Sequence, residues 1–239
     1  MGTSLSEYQA AVANLIQAPS SPVPFISNSQ LTTYINTARN QVAADAECIR
    51  IPGSLTTAAN IQAYAFNQIV VNTFTGVNSV IAVRSGQVNG QPQPLDFRNW
   101  EWFAQYYERA GTLGVPVRFA QQGQGDFGTL FFSPIPNAVF TIVFDAVCLP
   151  LAMADNTTPE AIPDLWADAV PFYAAWLALQ SLQRQADANA MFERYSLLVR
   201  RGRQLATPSE LPDNLPGGTG AQIAASHQTL GQPPPARGR

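Results

Sequence analysis

The residues in this 239-residue chain whose types could do chemistry are a single histidine, two distant cysteines and one group of carboxylates. Ser-His-Asp catalysis needs a histidine held by packing beside a nucleophile, but His227 stands in a Pro- and Gly-rich stretch and reads as a solvated or contact residue. Cys48 and Cys148 show no CxxC spacing and have no histidine nearby, so no metal site is expected and both read as small buried side chains. The Gly-rich run QGQGDFG at 122–128 lies between predicted strands rather than before a helix, which reads as a loop and not as a phosphate cradle. Asp155, Glu160, Asp164 and Asp168 form the densest acidic group. Paired carboxylates can cleave glycosides, yet three of these fall at or near a predicted helix start, where the helix dipole accounts for them. No catalytic, cofactor-binding or metal-ligating set emerges.

The aromatic run Trp100, Trp102, Phe103, Tyr106 and Tyr107 has Arg98 and Arg109 beside it but also Glu101 and Glu108, so no basic groove for stacked bases accompanies it. A stripe of Phe97, Trp100, Phe103 or Ala104, and Tyr107 is expected to face the core. Trp102 and Tyr106 then project elsewhere, as candidates for packing between subunits.

The elements that must carry these residues follow from periodicity. Ser4 and Glu7 have capping-box spacing, and Leu5, Tyr8, Val12, Leu15 and Ile16 share a helical face. Asn28 or Ser29 is expected to cap a second helix, with Leu31, Tyr34, Ile35, Ala38, Val42, Ala46 and Ile49 in phase until Pro52-Gly53 stops it. Strands are expected in 61–83, a tight turn at Asn89-Gly90, and a short helix capped by Asp96 and ended by Gly111. Another strand is expected in 115–121, and a hairpin of 127–132 with 138–147. Helices return after Pro159, with Pro171 a kink or restart and Leu165, Trp166, Ala169, Val170, Tyr173, Trp176 and Leu177 on one face. The last helix, about 187–204, turns Met191, Phe192, Tyr195, Leu198 and Val199 inward. Leu31, Ile35, Trp166, Tyr173, Phe192 and Leu198 are expected to share the helical core, and Trp176 and Phe192 to be deeply buried. Arg200, Arg201 and Arg203 complement the macrodipole at the end of the last helix and are candidate partner contacts.

The fold class is therefore α+β: a helical bundle from the N- and C-terminal helices, a β-rich insertion and an extended C-terminal tail. The body is residues 1–206, with helices in 4–51 and 159–206 and the insertion about 61–149. The tail, 207–239, is too rich in Pro, Gly and polar residues to bury a core alone. It is expected to be held by neighbouring chains, with Leu211, Leu215, Ile223 and Leu230 as apolar anchors and Arg237 and Arg239 available to acidic patches.

Charged residues make up only 12%, about half the usual share. Surface buried against other chains accounts for that, and so does polarity supplied by Gln, Asn, Thr and Ser. All thirteen basic residues are Arg, which suits bidentate pairs between chains and equally fits a GC-rich coding bias. The net charge of −3 excludes a broadly basic nucleic-acid binder. The start, MGTSLSEYQ, lacks a charged leader and apolar run, so no secretion signal is expected, and no stretch is long and apolar enough for a membrane span.

The order of segments carries a resemblance. Two N-terminal helices end near Pro52-Gly53; FRNWEWFAQYYERAG, GVPVRFA and GTLFFSPIPNAVFTIVFDAVCLPLA follow, and then DNTTPEAIPDLWADAVPFYAAWLALQSLQRQADANAMFERYSLLVRR. Within the last, residues 162–175, Ala190 and 192–195 are the most telling. Over roughly residues 4–206 the chain resembles the head-to-tail adaptor (connector) proteins of tailed bacteriophages. The resemblance implies a structural virion protein at the neck, without enzymatic activity or cofactor. It also implies a homo-oligomeric ring, a dodecamer, that binds the portal protein and presents a platform for tail or nozzle proteins. Double-stranded DNA would pass through its lumen without specific binding.

Rival readings make different demands. A tail-completion, tail-tube or head-decoration component predicts a β-dominated fold. A virion-associated cell-wall hydrolase predicts a cleft with perturbed carboxylates. A small-terminase-like DNA binder predicts a basic recognition helix, for which Arg184, Arg194, Arg200, Arg201 and Arg203 are the only material.

Overall fold

In the computed structural model the described residues are 3–16, 26–71, 76–106 and 111–206. The chain divides into two units after Gly202, and of the second only residues 203–206 are described. The fold is mixed α and β.

Helix α1 (Leu5–Leu15) starts as its sequence demands: the Ser4 hydroxyl accepts from the Glu7 amide, and the Glu7 carboxylate accepts from the Ser4 amide at 2.7 Å. Helix α2 (Asn28–Ala46) is capped by Ser27 with Gln30, one residue before the expected cap, because Gln30 completes a reciprocal box that neither Asn28 nor Ser29 can form. It ends at Glu47, which takes the left-handed conformation at φ 50°.

Pro52-Gly53 does not stop that helix; it lies inside strand β1 (Arg50–Thr56). Next to β1, strand β3 (Val70–Val71) pairs only with Gly53 and Ser54, so Pro52 needs no amide on that side. Gly53 is required by close approach, since a Cβ there would stand 2.7 Å from Ile69 Cγ2. Both residues are tuned to a neighbour that local sequence does not reveal.

The first sheet runs β3-β1-β10-β4, with β4 Val77–Val88 and β10 Thr141–Pro150; β10 pairs antiparallel with both neighbours. At the end of β4, Asn89-Gly90 makes the expected turn, with Gln91 N–H donating to the Val88 carbonyl at 3.0 Å. The second sheet runs β2-β8-β7-β5 (Ala63–Ala65, Thr129–Ser133, Arg118–Gln122, Asp96–Arg98). The expected hairpin of 127–132 with 138–147 is thereby overturned: its two arms belong to different sheets. Between them β9 (Ile135–Pro136) pairs with β6 (Leu113–Gly114), which commits the would-be turn to its own small sheet.

The two larger sheets meet through phenylalanines. Phe144 of the first lies 6.0 Å from Phe119 and 6.3 Å from Phe132 of the second, between ring centroids. Phe131, one residue from Phe132, packs instead against helix α3 (Trp100–Tyr106), with Trp100 at 4.4 Å and Phe103 at 6.4 Å. Asn99, not Asp96, caps α3, accepting from the Glu101 amide at 2.8 Å; Asp96 and Phe97 are taken by β5, and Phe97 is half exposed there rather than in the core.

Helix α4 (Asp164–Ala167) breaks at Asp168 and restarts as α5 (Ala169–Ser181), whose third residue is Pro171. The first amides of a helix have no intrahelical acceptor, so the proline costs nothing there. Helices α1, α2 and α5 pack on one another, and α2 also packs on β10. The deepest face of α5 is Val170, Ala174, Ala175, Ala178 and Leu179. Small side chains let the helices approach closely, and Tyr173, Trp176 and Leu177 are only partly buried, with Leu165 exposed.

Helix α6 (Gln185–Ala206) buries Ala188, Tyr195 and Val199. Phe192 is 42% exposed, which overturns its place in the core: its ring meets Trp176 at 5.2 Å but lies over the edge of the helix pair, not inside it. Leu31, Ile35 and Trp166 are buried, and Tyr173 and Leu198 partly so. Where α6 passes Trp166, residue 202 is glycine, and a Cβ there would sit 2.4 Å from the indole Nε1. Gly202→Ala is expected to lower the unfolding free energy by about 1–3 kcal/mol through overpacking, despite alanine's better helix propensity; a urea titration measures it.

Candidate functional site

The acidic group noted in the sequence is taken apart by the fold. Asp155 accepts from the Thr157 hydroxyl at 2.7 Å and amide at 2.9 Å, and from the Thr158 amide at 3.1 Å. These bonds, the Thr157 hydroxyl first, hold its carboxyl below the usual range. Glu160 is buried with Arg39, their side chains each 1% exposed. Arg39 grips both carboxylate oxygens, through Nη2 to Oε1 at 2.8 Å and Nε to Oε2 at 3.0 Å, and donates through Nη1 to the Leu151 carbonyl at 2.7 Å. Glu160 also accepts from the Ile162 amide at 2.9 Å. Asn36 adds two bonds to Met153, one to its carbonyl and one from its amide. This cluster straps the segment leaving β10 to the middle of α2. The Tyr8 phenol is pushed well up, first by burial and then by the Glu160 charge beside it. Periodicity reads Arg39 as one polar position in a helix; its partner is 121 residues away, so no local signal announced it.

Burial likewise pushes the Cys48 thiol up to about 12 and the Cys148 thiol up to about 11, away from the reactive thiolate. Among the described residues no three His, Cys, Asp or Glu side chains gather as a metal would need, and no helix is long and apolar enough to cross a membrane. A cleft of about 340 Å³ opens beside β3 and β4, lined by Phe66, Ile69, Val80, Asn67, Asn78 and Ser79 among others, none of them titratable.

What the surface offers instead is apolar and aromatic contact. On α3, Phe103 is fully buried whereas Trp102 is 36% and Tyr106 61% exposed. Their rings lie 5.2 Å apart, and the Arg98 guanidinium stands 4.8 Å over Trp102. The Gly-rich loop carries Phe127 at its tip, 91% exposed, where the sequence suggested a strand. Gly123 and Gly125 both have positive φ there, which a tight loop between β7 and β8 requires.

On α6, Arg200, Arg201 and Arg203 are exposed near the helix end. The sequence-derived candidates thus fall into separate places, Trp102 with Tyr106 on α3 and the arginines on α6. Leu211, Leu215, Ile223, Leu230, Arg237 and Arg239 lie outside the described residues. Phe127 and the buried Arg39 were missed.

Among curated proteins none matches the chain. A family of phage head-to-tail adaptors, described as the SU10 adaptor protein, matches residues 3–211. That span takes in both helical ends, both larger sheets and the exposed aromatic pair of α3, and the chain belongs to the SU10 adaptor protein family.

Proposed function

We propose that this chain is a structural, non-catalytic adaptor that forms a ring, a dodecamer, between the portal protein and the tail or nozzle proteins of a phage, and that DNA passes through its lumen. The family match over residues 3–211 carries this reading. Physical features support it. A ring needs two different patches per subunit that close on each other, and α3 and α6 each expose one. A lumen through which DNA slides must not grip phosphates, and an acidic chain without Lys suits that. Helices at both ends of the described chain weigh against a β-dominated tail tube. The helices, read as one bundle, form the subunit's body, and the virion neck is its location.

Residues 207–239 act in this reading as an assembly clamp, an extended segment ordered only on a partner, with Leu211, Leu215, Ile223 and Leu230 as anchors and Arg237 and Arg239 on acidic patches. Trp102 and Tyr106 pack against a neighbouring subunit, and Arg200, Arg201 and Arg203 pair with carboxylates of a partner. Because ordering the clamp weakens free association, the purified chain is expected to be monomeric or weakly associated by light scattering and to form stable rings only on the portal. Deleting 207–239 should leave the circular dichroism of the body unchanged and reduce attachment to the portal. Stable rings without portal, or normal incorporation of the truncated chain into particles, overturn the clamp; particles whose neck lacks the protein overturn the adaptor reading itself.

A further inference from the structure

Ion pairing among the arginines is uneven. Outside α6 every described arginine has a carboxylate: Arg39 has Glu160, Arg50 Asp145, Arg84 Glu47, Arg98 and Arg118 share Asp96, and Arg184 has Asp187. Arg194, Arg200 and Arg201 have none among the described residues, and all three are exposed. Arg194, Leu197 and Arg201 follow at i, i+3 and i+7, with Arg200 alongside, so they form one strip on the face away from buried Tyr195 and Val199. Leu197, in the middle of the strip, is 54% exposed. Unpaired guanidinium groups around a bare leucine fit a surface that offers carboxylates around an apolar residue. A phosphate backbone would satisfy the arginines but leave Leu197 in water.

The same chain carries the complement. The carboxylates of Asp164 and Asp168, one helical turn apart, have neither hydrogen bond nor ion pair among the described residues, and Leu165 between them is 46% exposed. Of the other described carboxylates, Glu101 and Glu193 are also unpaired; Glu101 stands singly on α3, whereas Glu193 lies one turn before Leu197 on the α6 strip itself, where the three arginines outnumber it. Charge and apolar centre therefore match: Arg–Leu–Arg on α6, Asp–Leu–Asp at α4.

We propose that the α6 strip of one copy seats on the α4 turn of a second copy, Leu197 against Leu165 and Arg194, Arg200 and Arg201 against Asp164 and Asp168. Made once in each direction along the assembly, and not reciprocally within a pair, the contact is head to tail and closes a ring. It rests on the homo-oligomeric adaptor reading and adds the residues that join the subunits. Exposed charges matched across an interface set partner choice and register more than affinity.

The test places L165C and L197C together in the full-length chain within assembled particles and oxidises them. A ladder of disulfide-linked subunits is expected on a non-reducing gel, with none for either single variant or for the wild type, whose own thiols burial holds protonated. In parallel, R194E with R201E should lose incorporation into particles, and adding D164R with D168R should restore it. D164N with D168N, which adds no positive charge at a helix start, should also weaken incorporation with unchanged circular dichroism. Rings that assemble normally with no ladder overturn this contact and leave the adaptor reading standing. Loss of duplex-DNA retention by R194E with R201E, without a ladder, overturns it in favour of a nucleic-acid surface. Particles with no copy of the protein at the neck refute the adaptor reading instead.

Discussion

Replacing Arg39 by Met is expected to lower the unfolding free energy by about 3–5 kcal/mol, the usual cost of stranding one member of a buried ion pair. Since a domain's whole stability is about 5–15 kcal/mol, this single change should bring the protein close to unfolding at physiological temperature. The size follows from what remains. Glu160 keeps the Ile162 amide but loses a two-pronged guanidinium, and the Leu151 carbonyl loses a 2.7 Å donor. Removing both charges, Arg39→Met with Glu160→Leu, should recover part of the loss but not all of it. No carboxylate is then stranded, yet the Leu151 carbonyl and the Ile162 amide are unpaired, each costing about 1–3 kcal/mol. Urea titrations of the three proteins should give the order wild type, double variant, single variant. A single variant as stable as the wild type would mean that water reaches Glu160 freely.

Phe144→Ala should cost about 3–5 kcal/mol by a different route, the loss of a large buried ring and the cavity it leaves. Phe144 is 2% exposed and lies between Phe119 and Phe132 of the second sheet. Its ring also occupies the space over Gly86, where a Cβ would be 2.6 Å from Cε1. Backbone on one side and two rings on the other leave little that can collapse into the gap. The denaturation midpoint should fall with the slope unchanged. Phe192→Ala provides the contrast: that side chain is 42% exposed, and its loss should be much milder.

The helices were legible because their information is local. Ser4 with Glu7 announced α1, and the apolar period of α2 named Leu31, Ile35, Ala38 and Val42, all of which are buried. The sheets were legible as strands but not as partners. Residues 127–132 and 138–147 read as one hairpin because nearness in sequence is the only pairing signal a single chain carries, whereas β10 finds β1 and β4 instead. The aromatic helix was read correctly where one face differed from the other, Phe103 in and Trp102 and Tyr106 out. It was misread at Phe97, where a strand precedes the helix. Arg39 stayed hidden for the same reason as the sheet pairing. A buried charge looks like any other polar residue until its distant partner is known.

The central position of β10 bears on how the chain can be made. Arg50 of β1 meets Asp145 of β10 across 95 residues, and Asn36 of α2 meets Met153 across 117. During synthesis β1 emerges early and must wait, one whole edge unpaired, until β10 follows. The apolar faces of α1 and α2 wait longer still for α5. The first sheet cannot close until about residue 150 has left the ribosome, nor the helical layer until about residue 180. Such late, long-range closure makes for slow folding and a long exposure of sticky intermediates. Yield in the host should therefore depend on chaperones, and on growth temperature, more steeply than the stability of the finished protein would suggest.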